Sequence, residues 1–221
     1  MGQKIHPRGF RLGTVFTWSS RWFADSRRYK TLFLEDVKLR GMLMSKLKTA
    51  GIESVEIERS INKVKITLNV SRPGVVIGRG GSGLEELKKF LESFLLSLDK
   101  TAKFKKTTEG NRIKLELSVE PVKEPNLSAQ LVATTVSDQL IKRLPHKRVG
   151  NQTVERVMAA GAKGVRVLLS GRIGGAEIHR REKFQAGTVP LSTMREHVDY
   201  AMVPALTKSG YIGVKVWICR K

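Results

Sequence analysis

The stretch that most constrains this chain is Ser71-Arg72-Pro73-Gly74-Val75-Val76-Ile77-Gly78-Arg79-Gly80-Gly81-Ser82-Gly83, a turn-rich loop around a short apolar core. Its flanks fix what it can join. Upstream, Val55 and Ile57 alternate with Glu56 and Glu58, and Val64, Ile66, Leu68 and Val70 alternate with Lys65, Thr67 and Asn69. That period of two predicts two strands, with Ile61-Asn62-Lys63 as the turn of a hairpin. Downstream, Leu84, Leu87, Leu91, Phe94, Leu95 and Leu98 recur at helical spacing, and Ser82 with Glu85 fits a capping box. A helix over about 27–50, with Phe33, Val37, Met44 and Leu47 as its apolar face, precedes the hairpin. A third strand carrying Ile113, Leu115, Leu117 and Val119 on one face comes later.

Within the loop, Gly78-Arg79-Gly80-Gly81 has the pattern Gly-x-x-Gly. Glycines let a phosphate approach the backbone because no Cβ stands in the way. Arg79 adds a cation, and the next helix offers free N–H groups and the positive end of its dipole. The string alone is weak, since most such strings are ordinary turns. Two nucleotide-binding rivals fail on residues. The loop lacks the Gly-Lys-Ser/Thr ending of a P-loop. Gly78-x-Gly80-x-x-Gly83 matches a dinucleotide fingerprint only formally, because the preceding strand belongs to a hairpin and no ribose-binding acid follows at the expected place. The order helix–strand–strand–short helix–Gly-x-x-Gly–helix–strand resembles a KH domain of the second type, whose loop clamps the backbone of single-stranded nucleic acid.

The prolines of Glu120-Pro121-Val122-Lys123-Glu124-Pro125 mark a linker. Beyond it, a helix is expected over about 128–144, with Leu131, Val132, Thr135, Val136, Leu140 and Leu144 inward and Pro145 as its stop. A shorter helix is expected over about 152–160, and strands at Val165–Leu169, around Lys183–Val189, around Glu196–Val203 and at Gly213–Ile218. The fold class is therefore α+β: a type 2 KH domain followed by a C-terminal α/β sandwich-like domain with a mostly antiparallel sheet. The expected division is a basic arm at 1–16, the KH domain at 17–120, a linker at 121–127 and the second domain at 128–221. The arm carries Lys4, Arg8 and Arg11 among Gly2, Pro7, Gly9 and Gly13 and specifies no packed element. It is either a frayed end or a segment ordered by RNA.

Charge names the partner class. Lys and Arg number 41 against 20 Asp and Glu, a net charge of +21 in 221 residues. A folded chain so basic repels itself unless a polyanion neutralises it, and nucleic acid is the strongest candidate. The single cysteine, Cys219, allows no intrachain disulfide and fits a reducing compartment. His6, His146, His179 and His197 have no metal-ligand spacing, so neither a metal nor a cofactor is expected. Glu85 and Glu86 are adjacent on a helix and diverge, and no nucleophile–base or carboxylate–metal cluster stands out, so an enzyme is not expected. Gly2 is a poor myristoylation site because His6 stands where Ser or Thr is wanted. Phe90–Leu98 is too short to span a bilayer.

Several longer strings extend the likeness to the whole chain. They are Met1-Gly2-Gln3-Lys4-Ile5-His6-Pro7, Pro73 to Gly81, Ser170-Gly171-Arg172-Ile173-Gly174-Gly175-Ala176-Glu177-Ile178, Gly187-Thr188-Val189-Pro190-Leu191 and Ile212-Gly213-Val214-Lys215-Val216-Trp217-Ile218. Together they resemble the bacterial S-three family of small-subunit ribosomal proteins. The resemblance implies a structural role in the head of the small subunit and contact with small-subunit ribosomal RNA. It further implies neighbours S-ten and S-fourteen and a place on the channel through which messenger RNA enters. Basic residues after the long second-half helix are implicated there in unwinding structured messages. In this chain they read His146-Lys147-Arg148-Val149-Gly150-Asn151: Lys147 and Arg148 match, and Asn151 stands where the family has another cation. The ribosome implied is cytoplasmic, with an organellar one as the open alternative. A free-standing KH regulator of particular transcripts is the rival.

Two further groups complete the expectations. Arg172, Arg180, Arg181 and Lys183, around the glycines of 171–175, are assigned to ribosomal RNA phosphates, and those glycines to a tight strand connection. Trp18, Trp22 and Phe23, among Arg21, Arg27 and Arg28, are assigned to packing against the first helix rather than to base stacking.

Overall fold

The computed structural model describes residues 4–60, 63–101 and 114–220, with side chains in the helix ending at Thr101 described as far as residue 95. Ile61, Asn62, Ile113, the side chain of Leu98 and the first three residues of the chain lie outside the described residues. The chain forms two compact units, Trp18–Lys123 and the N-terminal arm to Thr17 together with Glu124–Lys221.

In the unit Trp18–Lys123 the order is β1 (Ser20–Arg21), α2 (Ser26–Lys46), β2 (Ile52–Ser60), β3 (Lys63–Val70), α3 (Pro73–Ile77), α4 (Ser82–Thr101) and β4 (Lys114–Pro121), after α1 (Pro7–Phe10) in the arm. The sheet runs β1-β2-β3-β4, with β2 and β3 antiparallel and β4 parallel to β3. The two-residue alternation sets the register: Ile57 pairs with Ile66 and Val55 with Leu68, all buried on one face. Leu87 and Leu91 of α4 cover that face, with Phe94 and Leu95 partly buried beside them.

The phase of α2 differs from the expectation. Phe33, Val37 and Met44 are 49%, 49% and 40% exposed, whereas Leu39, Leu43 and Asp36 are buried. At about 100° per residue these last three share one narrow stripe. The stripe is fixed by a charge network that hydropathy does not reveal. Asp36 accepts hydrogen bonds from Ser20 Oγ (2.9 Å), Trp22 Nε1 (2.7 Å) and Arg59 Nε and Nη2 (2.9 and 2.6 Å), while Glu35 pairs with Arg59 Nη1 (2.9 Å). A buried carboxylate must be satisfied this fully, and that requirement turns the helix. Ser82 also departs from the capping box. It is the first α-helical residue, and its hydroxyl donates back to Arg79 O (3.0 Å).

In the other unit α5 (Ala129–Ile141) and α6 (His146–Ala159) lie on one face of an antiparallel sheet ordered β6-β5-β8-β7. Its strands are β5 (Gly164–Gly171), β6 (Arg180–Gly187), β7 (Val198–Thr207) and β8 (Gly210–Cys219). Val165, Val167 and Leu169 meet Val214, Val216 and Ile218 under Val132, Val136 and Val157. Leu144 is exposed rather than inward because α5 ends at Ile141 and Arg143, at φ 60°, turns the chain; Thr135, within α5, is exposed too, its hydroxyl donating back to Leu131 O (2.9 Å). Pro145 is not the stop of α5, which has already ended; it is the N-cap of α6, which starts at His146, earlier than expected. Gly150 lets α6 sit directly on Phe184, whose ring a Cβ would strike at 2.5 Å.

The arm is not frayed over its described residues. His6 caps α1 by accepting Gly9 N–H on Nδ1 (3.2 Å), and its ring meets Tyr200 edge-on at 4.9 Å. Phe16 lies against His197 at 4.7 Å.

Candidate nucleic-acid interface

The Gly-x-x-Gly turn is built by contacts on one side and left bare on the other. Pro73 opens α3, and buried Val76 anchors it. Gly78, at φ 71°, and Gly83 let the end of α3 press against the start of α4. A Cβ on Gly78 would lie 3.0 Å from Gly83 N, and one on Gly83 would lie 2.8 Å from Val76 O. Gly80 and Gly81 are different: their φ values are 63° and 85°, and a Cβ on either meets nothing within 4 Å. They expose backbone outward, directly before the N-terminus of α4. Arg79 is exposed there, and its guanidinium has no hydrogen-bond or ion-pair partner among the described residues. Bare backbone, a free guanidinium and a helix N-terminus together can hold a phosphate.

Lys147 and Arg148 are exposed in the first turn of α6, which also holds His146 and no acid. Cations there oppose the helix dipole, at a cost of roughly 0.3–1 kcal/mol each. Folding alone does not favour that placement, whereas an anion would. His146 Nε2 pairs with Glu182 of β6 (3.0 Å), so Lys147 and Arg148 keep their charges for a partner. Asn151 is exposed one turn beyond Lys147, on the same face.

Arg172, Arg180, Arg181 and Lys183 are all exposed. Strand alternation separates them: Glu182 and Phe184 face α6, so Arg181 and Lys183 lie on the helix-free face. The ladder sets Lys183 level with Leu168 and Lys215, and Gln185 level with Arg166 and Trp217. Arg166 stands over the Trp217 ring at 5.2 Å. Lys215 and Arg166, which sequence reading missed, thus join Arg181 and Lys183 on one face. Their signal was present as alternation, each falling between the buried valines of its strand.

In the arm, Lys4 is exposed and Arg8 is half-buried, 5.2 Å from the Phe16 ring. Arg11 requires a correction. It is 0% exposed, and its guanidinium donates to Glu196 O (2.8 Å), Pro7 O (3.1 Å), Pro190 O (3.0 Å), Leu191 O (3.0 Å) and Thr193 O (2.8 Å). It holds the arm against the segment before β7 and has no surface to offer a phosphate. Among the aromatics, Trp22 packs on Tyr29 at 5.3 Å and on Asp36, but Trp18 and Phe23 are 65% and 93% exposed, not packed as expected.

Among the described residues no group of three His, Cys, Asp or Glu side chains could hold a metal ion, and no helix is long and apolar enough to cross a membrane. Cys219 is buried, and burial followed by the nearby Glu196 carboxylate pushes its thiol pKa up.

Residues 136–218 match the family described as "Ribosomal protein S3, C-terminal domain", and residues 38–127 match the KH domain family. Relatives align along nearly the whole chain. A protein of Desulforamulus reducens is 44% identical over 99% of this chain and 91% of its own length. One of Persephonella marina is 44% identical over 99% and 89%, and one of Desulfitobacterium hafniense is 44% identical over 99% and 92%. Each is named small ribosomal subunit protein uS3.

Proposed function

The chain belongs to the ribosomal protein S3 family, and from that premise we propose that it binds ribosomal RNA in the head of the small subunit and lines the channel where messenger RNA enters. The family makes it a structural protein of the small subunit with an RNA-binding KH domain. The observation that carries the RNA reading is the turn at Gly78–Gly81. Gly80 and Gly81 open outward beside the Arg79 guanidinium, which is unpaired among the described residues, where internal packing asks for nothing bare. Lys4, Arg8, Arg172, Arg180, Arg181 and Lys183 add phosphate contacts that position the protein without reading sequence. S-ten and S-fourteen are its protein neighbours, in a cytoplasmic or an organellar ribosome.

Lys147 and Arg148 are assigned to the message. Their exposed place against the helix dipole supports a grip on one strand's phosphates, and such a grip resists closure of a hairpin. Replacing both by Ala should leave subunit assembly intact and slow translation through stable hairpins more than through unstructured message. Asn151→Lys extends the cationic face by one turn and should act in the opposite sense. Ribosome progress through hairpins of graded stability tests this. Equal slowing on hairpin and unstructured messages would remove the unwinding role and leave the RNA-binding reading in place.

A further inference from the structure

A strand connection explains Gly171, where a Cβ would lie 2.7 Å from Tyr211 O. It does not explain Gly174 or Gly175. A Cβ on Gly174 meets nothing within 4 Å, and one on Gly175 meets only Ser209 Oγ, at 3.6 Å. Their backbone repeats the KH turn. Gly174 has φ 67° and ψ 15°, against 63° and 16° at Gly80. Gly175 has φ 84°, against 85° at Gly81. Each forms a single 3-10 turn closed the same way, by Ser82 N–H to Arg79 O in one and by Ala176 N–H to Ile173 O (3.4 Å) in the other. The two turns lie in different units.

Cations gather at the second turn. Arg172 Nε donates to Ala176 O (3.0 Å), which lays its guanidinium along the turn. Arg180, the first residue of β6 after the connection, stands opposite Gly171 on the ladder, whereas Arg181, opposite Ser170, points to the other face of the sheet. Lys208 adjoins Ser209, the residue nearest Gly175. Arg172, Arg180 and Lys208 are exposed, and Glu177 is the one acid in the connection. The turns differ at one place: buried Ile173 occupies the position of Arg79 and pins the turn to the core. No helix follows it, so flanking cations supply the attraction that α4 supplies in the KH turn.

We propose that Arg172–Ala176 is a second phosphate-binding turn for the RNA backbone, with a phosphate resting against the bare peptide at Gly174–Gly175 and Arg172, Arg180 and Lys208 around it. This rests on the RNA-binding reading above and assigns that surface a definite contact point.

The test uses the full chain and a transcript of small-subunit ribosomal RNA, titrated at several salt concentrations. Gly174→Asp keeps a backbone that Asp and Asn adopt more readily than other side chains, and places a carboxylate where the phosphate would sit. Gly174→Asn adds the bulk without the charge, and Thr135→Glu changes charge at an exposed site on α5. We expect Gly174→Asp to bind at least tenfold more weakly, with a log–log salt slope shallower by about 0.7–0.9, the loss of one phosphate contact. Gly174→Asn should lose at least threefold, and Thr135→Glu should stay within twofold of the parent. If the parent binds and Gly174→Asn keeps parental affinity while Gly174→Asp matches Thr135→Glu, the second turn is overturned. If the parent itself shows no salt-dependent binding, the RNA-binding reading fails instead.

Discussion

Arg11 separates a structural cation from an RNA-binding one. Its five carbonyl partners span the arm and residues 190–196. Arg11→Ala removes a fully buried guanidinium and leaves those carbonyls without a donor. A hydrogen bond to a charged group contributes about 1.5–3 kcal/mol, and an orphaned buried acceptor costs about 1–3 kcal/mol. Water entering the vacated space relieves some of this, so the contributions do not add. If two or three carbonyls stay dry, the loss is about 3–5 kcal/mol, a large part of the roughly 5–15 kcal/mol of a typical fold. Native-state hydrogen exchange resolves where it falls. Amides of β7 should exchange on the order of a hundredfold to a thousandfold faster, and amides of β3, in the other unit, should not change. Arg11→Lys keeps the charge but not the fork and should fall between the two. A change below about 1 kcal/mol in β7, with RNA binding lost, would refute the structural role and return Arg11 to the RNA surface.

Replacing Arg79 and Gly80 together by Asp should weaken RNA binding at least tenfold, about 1.4 kcal/mol, with unchanged circular dichroism. Unchanged affinity would make Gly78–Gly81 only a turn. The arm should loosen in mild acid. Burial, then Arg8, lowers the pKa of His6; burial, then Arg220, lowers that of His197, with Asp199 opposing and Arg8 adding. Folding therefore favours both neutral rings, and the stabilisation is complete above the ordinary value of 6.5 and lost as pH falls below it. Proteolysis within residues 7–16 should quicken between pH 7 and pH 5; slower cleavage in acid would contradict this.

Where hydrophobic period and local geometry agree, the fold is legible in the sequence. The β2–β3 hairpin, the turn at Gly78–Gly81, α4 and all four strands of the second sheet lie where alternation and glycine placement put them. The phase of α2 was not legible, because a single buried carboxylate, Asp36, outweighs the apolar spacing of Phe33, Val37 and Met44. The docked arm was not legible either, since Arg11 reads as a surface cation until its distant carbonyl partners are known. Lys147 and Arg148 fell between the two helices expected from sequence and lie instead in the first turn of α6; Pro145 looks like a stop in sequence and serves as a helix N-cap in the fold. The likeness of Gly174–Gly175 to Gly80–Gly81 lives in dihedral angles; in sequence both pairs follow a Gly-Arg, but Ile173 stands between Arg172 and Gly174 and breaks the Gly-x-x-Gly spacing.

Sedimentation of the tagged chain through a sucrose gradient, after ribosomes are dissociated into subunits, tests membership of the small subunit most directly. The chain should migrate in the small-subunit peak in about equal amount to the other proteins there, and stay as salt rises until the subunit itself loses protein. A chain found mainly at the top of the gradient, or with messenger RNA free of subunits, would contradict that and favour a free-standing KH regulator.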